Sequence, residues 1–149
     1  MTVALPSALM REIRSHSEAG YPEEICGFLL GSRPSTSKFV IEKVVPAANR
    51  RTDEARRRYL IGPEEYRTAE GQAELEGLEI AGIYHSHPDA PARPSGYDLE
   101  HALPSCAYII VSVMEGAAGE TTAWLLADDR AAFRPLEITL ERSPACQPS

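Results

Sequence analysis

Apolar residues recur with the period of a helix in some segments of the chain and run continuously in others. Leu5, Leu9 and Ile13 recur every fourth residue, which predicts a helix over residues 5–19 with that row as its buried face. Glycine and proline residues at the expected helix boundaries predict two further helices, over residues 62–76 and from about residue 95.

Short apolar runs between turn residues predict the strands. They cover residues 25–31, 38–47, 78–87, 107–114, 121–127 and 132–141, and a shorter strand ends near Ile61. Residues 31–37 read as a turn. Because helices and strands are mixed along one chain, we expect a single α/β domain over residues 1–142, with a mixed β-sheet and flanking helices. Residues 143–149 are expected to form a flexible C-terminal tail.

The composition is that of a globular protein, with 43% apolar and 25% charged residues among 149. The longest apolar runs, such as residues 107–114, are too short to span a bilayer, and no signal peptide is recognisable at the N-terminus. We therefore expect a cytoplasmic protein with no membrane partner.

The net charge of −7 argues against a nucleic-acid partner, because phosphate binding needs a positive field. Arginine nevertheless clusters in one short segment. The cluster is either a solvated loop or a local dock for an acidic partner, and it comprises Arg50, Arg51, Arg56, Arg57 and Arg58.

The three cysteines, Cys26, Cys106 and Cys146, form no close pair, which argues against a disulfide scaffold and against a Cys-x-x-Cys site. Cys26 lies in an apolar run and is expected to be a small core residue and not a nucleophile. We expect His16 on the protein surface and Trp124 in the core.

The candidate chemistry lies at the end of the predicted strand over residues 78–87. Side chains alternate along a strand, so His85 and His87 project from one face while Ser86 points the other way. Pro88 ends the strand, and the proline-rich loop that follows can return Asp98 to the same place. Two imidazoles and one carboxylate suit Zn²⁺, and three protein ligands leave a fourth position for water, whose pKa zinc lowers to about 7.

Each part of this pattern also has a purely structural interpretation. A lone His-x-His pair can be polar surface, and Ser95-x-x-Asp98 fits a helix capping box, which is compatible with metal binding. An iron oxygenase also uses two histidines and a carboxylate, and metal analysis would separate the two classes. A cytidine-type deaminase needs Cys-x-x-Cys, which is absent. For His101 on the same short helix we expect a structural role beside the site.

A hydrolase of this kind also needs a general base for the water. Glu23 and Glu24 both precede the apolar strand that starts at residue 25, and either carboxylate could lie at the exposed start of that strand. Either could equally be a solvated loop residue, and the pattern alone does not choose between them.

Together these residues resemble the signature of the JAMM (MPN+) metalloproteases, in the small stand-alone prokaryotic form. The upstream part reads Glu24-Ile25-Cys26-Gly27. The downstream parts read His85-Ser86-His87-Pro88 and Ser95-Gly96-Tyr97-Asp98. The resemblance implies that His85, His87 and Asp98 bind zinc. It also implies that Glu24 is the general acid and base and that Ser95 polarises the carbonyl and stabilises the oxyanion.

The same resemblance implies a fold similar to that of cytidine deaminases and direct attack of a zinc-activated water on a peptide or isopeptide carbonyl. Family members cut after the Gly-Gly tail of ubiquitin-like proteins, so the expected substrate is a ubiquitin-like sulfur-carrier protein or its adduct. The long insertions of the eukaryotic enzymes are absent, so linkage-selective cleavage of polyubiquitin is not expected. The alternative is a non-catalytic MPN scaffold that only binds partners.

Overall fold

The computed structural model describes residues 1–49, 59, 61–103, 105–127 and 132–141. These residues form seven strands and three helices. In chain order they are β1 (Thr2–Pro6), α1 (Ser7–Gly20), β2 (Cys26–Ser35), β3 (Lys38–Ala47), α2 (Pro63–Leu75), β4 (Glu79–Pro88), α3 (Gly96–His101), β5 (Ala107–Met114), β6 (Ala117–Leu126) and β7 (Phe133–Glu141).

The seven strands form one mixed sheet in the order β1-β3-β2-β4-β5-β6-β7, which closes into a barrel because β1 also pairs with β7. Three pairings are parallel, namely β1 with β3, β1 with β7 and β4 with β5, and the others are antiparallel. The predicted α/β domain with a mixed sheet and helices is therefore confirmed.

Closure of the barrel depends on β1, which the sequence pattern did not distinguish from the first helix. Leu5 was expected in that helix, but it lies in β1, and α1 begins only at Ser7. The apolar residues of β1 run directly into the row of Leu5, Leu9 and Ile13, so the pattern shows no boundary between strand and helix. Pro6 lacks a backbone N–H and ends the strand. The helix predicted from residue 5 therefore starts two residues too early.

Two other predicted boundaries are wrong. Residues 31–35 continue β2 instead of forming a turn, and the register with β3 shifts between Leu30 and Gly31. A side chain at Gly31 would place its Cβ 1.9 Å from the carbonyl oxygen of Val40, so only glycine fits there. β6 also begins at Ala117, before the predicted position.

Tyr59 and Ile61 belong to no strand, and the rest of the short strand predicted to end near Ile61 lies outside the described residues. The arginine cluster at residues 50–58 and the predicted tail at residues 143–149 lie outside the described residues.

The two faces of the sheet bury separate apolar clusters, as alternation along the strands requires. Leu29 packs with Ile13 of α1 in one cluster. Cys26 and Phe28 pack with Ala69 of α2 in the other. Burying each large apolar side chain contributes roughly 1.5–3 kcal/mol. Cys26 is fully buried, in agreement with its expected role as a core residue.

The strand register brings distant parts of the chain to one end of the sheet. Cys26, at the start of β2, is opposite His85, near the end of β4. The segment that precedes β2 therefore lies beside the segment that follows β4. None of the helices within the described residues has the length and apolar character needed to cross a bilayer.

Candidate metal centre

His85 and His87 lie on one face of β4, and both are buried, at 0% and 8% exposure. Their ring centroids are 5.1 Å apart. β5 pairs with both histidine positions of β4, whereas β2 pairs with β4 only as far as His85, so His85 lies in the interior of the sheet and His87 lies two residues beyond the last pair with β2. These pairings limit their freedom and place their ring nitrogens close together.

Asp98 reaches the same place from α3, where it is 5% exposed. Ser95 caps this helix: its hydroxyl accepts a hydrogen bond from the Asp98 backbone N–H (3.1 Å), and its own N–H donates to Asp98 Oδ2 (2.8 Å). The capping box thereby aims the carboxylate at the histidines. Asp98 Oδ2 lies 3.2 Å from His87 Nε2, and Oδ1 lies 3.7 Å from His85 Nε2.

Glu24 is the fourth member of the group and is 2% exposed, whereas Glu23 is exposed. Its Oε1 lies 3.1 Å from His85 Nδ1. The structure thus brings Glu24 and not Glu23 into the cluster, a choice that the sequence pattern left open.

Ser86 ties the segment after Glu24 to the histidine strand. Its hydroxyl accepts a hydrogen bond from the Ile25 N–H at 2.9 Å, and its own N–H donates to the Ile25 carbonyl at 3.1 Å. The role of Ser86 in holding the Glu24 segment had no signal in the sequence.

Burial and neighbouring charges shift the acidity of the group. Burial raises the pKa of the Glu24 carboxyl, and contacts with His85 and His87 only partly offset this effect. Burial also acts to raise the pKa of Asp98, but the His85 charge and the hydrogen bond to His87 outweigh it and hold that pKa at about 2. For His87, burial lowers the pKa, but the hydrogen bond and charge of Asp98 outweigh it, so the pKa is raised. Asp98 is therefore negatively charged at neutral pH.

The chemistry of the four side chains fits a metal ion. Each offers one ligand atom, and these atoms lie within 4.8 Å of one another. Within the described residues, neither ring nitrogen of His85 has a hydrogen-bond partner, and the same is true of Glu24 Oε2. A buried polar atom without a partner costs about 1–3 kcal/mol. A cation bound by one ring nitrogen of His85 would satisfy that nitrogen.

Tyr59 covers one ring face of His85, with the ring centroids 4.5 Å apart and the planes 25° from parallel. Its carbonyl oxygen accepts a hydrogen bond from the Tyr97 hydroxyl at 2.9 Å, which links it to α3. Burial raises the pKa of the Tyr59 phenol well above its ordinary value. Nothing in the local sequence pattern around Tyr59 predicted this contact.

The other histidines are outside the cluster. His101 is exposed, and its ring stacks on Tyr97 with centroids 4.0 Å apart. His16 is half-buried and not simply on the surface as predicted, because its Nδ1 lies 2.8 Å from the Tyr84 hydroxyl. Trp124 is also half-buried, so its prediction as a core residue is only partly met.

Comparison with known families agrees with this geometry. Residues 6–127 match the Prok-JAB family model, described as prokaryotic homologs of the JAB domain. The chain belongs to the Prok-JAB family. The predicted membership in the small prokaryotic JAMM/MPN group is therefore confirmed.

Two similar proteins carry names that describe an activity. One from Thermus thermophilus, "Probable TtuB-protein conjugate cleaving protease", is 33% identical over 110 residues, covering 74% of this chain and 70% of the relative. A "Desampylase" from Haloferax volcanii is 32% identical over 134 residues, covering 87% and 89% of the two chains. These names confirm the predicted hydrolase class for this Prok-JAB chain.

The fold has a counterpart among solved structures. A protein from Desulfitobacterium hafniense, solved in solution, aligns with a TM-score of 0.81 and 29% identity, covering 95% of this chain and 94% of that one. The Prok-JAB fold described above thus extends over nearly the whole length of both chains.

Proposed function

We propose that this chain is a zinc-dependent isopeptidase or peptidase that hydrolyses the bond after the C-terminal Gly-Gly of a ubiquitin-like protein. The observation that carries the proposal is a buried carboxylate, Glu24, held against a set of two histidines and one aspartate whose atoms fit a metal ion. The relatives' names support the reaction class.

In this proposal His85, His87 and Asp98 hold the ion and Glu24 does not. Two imidazole nitrogens and one carboxylate oxygen are a donor set that suits zinc and leaves one coordination position open. Bound zinc supplies Lewis acidity toward the substrate carbonyl and lowers the pKa of a water molecule. The role of Asp98 requires a negative charge, and the pKa of about 2 keeps it ionised.

Glu24 acts as the general base and then as the general acid. It accepts a proton from the attacking water and passes that proton to the leaving amine, so no covalent enzyme intermediate is needed. Because burial raises the pKa of this carboxyl, it gives up the proton less readily than an exposed glutamate until the leaving amine takes it.

Ser95 stabilises the oxyanion in this proposal. Its hydroxyl oxygen accepts from the Asp98 N–H, which leaves the hydroxyl hydrogen to be donated to a substrate oxygen. Ser95 is exposed at the start of α3, where a substrate can reach it.

The substrate tail binds in an extended conformation along β3. β1 pairs with β3 only through Lys38–Val40, and no strand of the described residues pairs with the outer edge of β3 from Ile41 to Ala47. A groove of about 230 Å³ lies between this half of β3 and α2. Beyond Ala47, the Asn49 side-chain amide donates to the Glu24 backbone carbonyl at 2.9 Å, which connects the end of this segment to the segment that carries the proposed base.

We further propose that the ubiquitin-like substrate is a sulfur carrier, that the protein is cytoplasmic and that it has no nucleic-acid or membrane partner. The net charge of −7 supports the absence of a nucleic-acid partner. A resemblance of the fold to cytidine deaminases also stays a proposal, which superposition of the two backbones would test.

The decisive experiment uses the zinc-loaded protein and ubiquitin-like carriers from the same host. The carriers bear either a C-terminal extension after Gly-Gly or a lysine adduct, and products are identified by mass spectrometry. We expect release of carriers that end in Gly-Gly. A protein that binds these conjugates with zinc in place but leaves them intact would support the non-catalytic scaffold instead.

A further inference from the structure

Three successive carbonyl groups in the loop between β4 and α3 accept hydrogen bonds from three different side chains. The Ser112 hydroxyl donates to Ala90 O at 2.6 Å, and the Thr122 hydroxyl donates to Ala92 O at 2.6 Å. Between them, Pro91 O lies 2.9 Å from His87 Nδ1. The loop is thus held on both sides of the carbonyl that contacts the histidine.

The Pro91 carbonyl determines which tautomer of His87 is stable. A carbonyl oxygen can only accept, so His87 Nδ1 must carry the hydrogen to make this bond. Nε2 lies 3.2 Å from Asp98 Oδ2 and donates to it in the metal-free protein, and a bound metal ion would take the place of that Nε2 hydrogen while Nδ1 keeps its own. A ring without the Nδ1 hydrogen would set the Nδ1 lone pair against the Pro91 carbonyl oxygen.

The two flanking hydroxyls are fixed by the sheet. Ser112 is 3% exposed in β5, and Thr122 is in the adjacent strand β6, opposite Ile110. The Thr122 hydroxyl accepts a hydrogen bond from Trp124 Nε1 at 2.8 Å. This contact directs the single hydroxyl hydrogen of Thr122 toward Ala92 O.

We propose that Ser112 and Thr122 are positioning residues that hold the Pro91 carbonyl against His87. They thereby select the Nδ1–H tautomer and leave Nε2 ready to bind the metal. The inference depends on His87 being a metal ligand, as in the proposed function, but it does not depend on which bond is cleaved. A purely structural role would satisfy the carbonyls of Ala90 and Ala92 without changing the tautomer of His87.

The test compares Thr122→Val, which removes the hydroxyl at nearly constant shape, with Thr122→Ser, which keeps it. Ser112→Ala and the Ser112→Ala/Thr122→Val double variant complete the series. Thr121→Val is the matched control. Thr121 is the neighbour of Thr122 in β6, and its hydroxyl accepts a hydrogen bond from Arg14 of α1. Two quantities are measured: the His87 tautomer in the zinc-loaded protein, by long-range ¹H–¹⁵N spectra, and the zinc dissociation constant, by chelator competition.

We expect wild type, Thr122→Ser and Thr121→Val to show a single Nδ1–H tautomer for His87 and the same zinc affinity. Thr122→Val and Ser112→Ala should show mixed tautomers, and the double variant should bind zinc roughly 10- to 100-fold more weakly. If Thr122→Val does not fold, Ser112→Ala and Trp124→Phe still test whether these hydroxyls hold the Pro91 carbonyl. Trp124→Phe removes the indole N–H that orients the Thr122 hydroxyl.

A folded double variant with one tautomer and wild-type zinc affinity would overturn the proposal. Failure of the proposed function looks different: the tautomer and the zinc affinity would respond to these variants, yet no conjugate would be cleaved by the wild type.

Discussion

Glu24 Oε1 lies 3.1 Å from His85 Nδ1, and both side chains are only 1% exposed. This contact joins the segment before β2 to the end of β4 and places a buried carboxylate beside a candidate ligand. In such a position a carboxylate can exchange a proton with a water molecule in the same site.

The first prediction concerns this carboxylate. Glu24→Gln keeps the size of the side chain but removes its basicity, so we expect conjugate cleavage to fall by roughly 10²- to 10⁴-fold while zinc is retained. Cleavage is followed by mass spectrometry and zinc by elemental analysis. Glu23→Gln, at the exposed neighbour, should behave like wild type. Wild-type rates for Glu24→Gln would show that another group is the base.

The second prediction concerns the ligands. His87→Ala removes one imidazole from the group, so we expect the variant to lose zinc and to lose the rise in melting temperature that zinc gives the wild type. A ligand present at 100 times its dissociation constant stabilises a folded protein by about 2.7 kcal/mol. Elemental analysis and calorimetry measure the two effects. His101→Ala, outside the cluster, should retain both, and full occupancy in His87→Ala would disprove the ligand assignment.

Much of this site could be predicted because its parts are local. A strand places His85 and His87 on one face, and a capping box orients Asp98, so short stretches of sequence contain the geometry. The choice of Glu24 over Glu23 could not be made from local pattern, because it depends on the register between β2 and β4. Family resemblance supplied that choice, and the burial of Glu24 agrees with it.

The contacts that could not be predicted are all between distant segments. Tyr59, which lies in no helix or strand, stacks on His85. Thr122 reaches the loop at Ala92 from a strand 30 residues further along the chain. The pairing of β1 with β7 also joins opposite parts of the sequence. Hydrophobic periodicity describes which face of an element is buried but not which element covers it.

A third prediction explains the glycine of the Glu-x-Cys-Gly segment. A Cβ at Gly27 would lie 2.3 Å from ring atoms of Tyr84, which is 1% exposed and hydrogen-bonded to His16. We therefore expect Gly27→Ala to reduce the free energy of unfolding by about 1–3 kcal/mol in urea denaturation.

Gly71 is the matched control for this substitution. It lies inside α2, and apart from its chain neighbours and the adjacent backbone of the helix, no atom lies within 4 Å of the position that an alanine methyl group would take there. Gly71→Ala should therefore raise the free energy of unfolding by roughly 0.5–1 kcal/mol. Equal stability of Gly27→Ala and wild type would show that Tyr84 can move without cost.

A fourth prediction concerns acid stability. Burial lowers the pKa of His16, so below about pH 6.5, its ordinary value, the unfolded chain binds more protons at this residue than the folded protein does. The free energy of unfolding should therefore fall as the pH drops through this range, and His16 should contribute no pH dependence above it. Denaturation of wild type and His16→Gln over this range measures the effect, and NMR titration gives the pKa directly.

His16→Gln should show a weaker loss of stability with acid than the wild type, whereas His101→Gln, at an exposed position, should follow the wild type. A His16 pKa at or above its ordinary value in the folded protein would contradict the prediction.

The pairing of β1 with Glu137–Glu141 of β7 has a consequence for biosynthesis. Among the described strands β1 is synthesised first and β7 last, so these two strands cannot pair until β7 has been made. Until β7 is made, the edges of β1 and β6 that pair with it are open, and other chains can nucleate aggregates on them. A nascent chain that stops before Phe133 already contains Glu24, His85, His87 and Asp98, yet it would depend on chaperones to stay in solution.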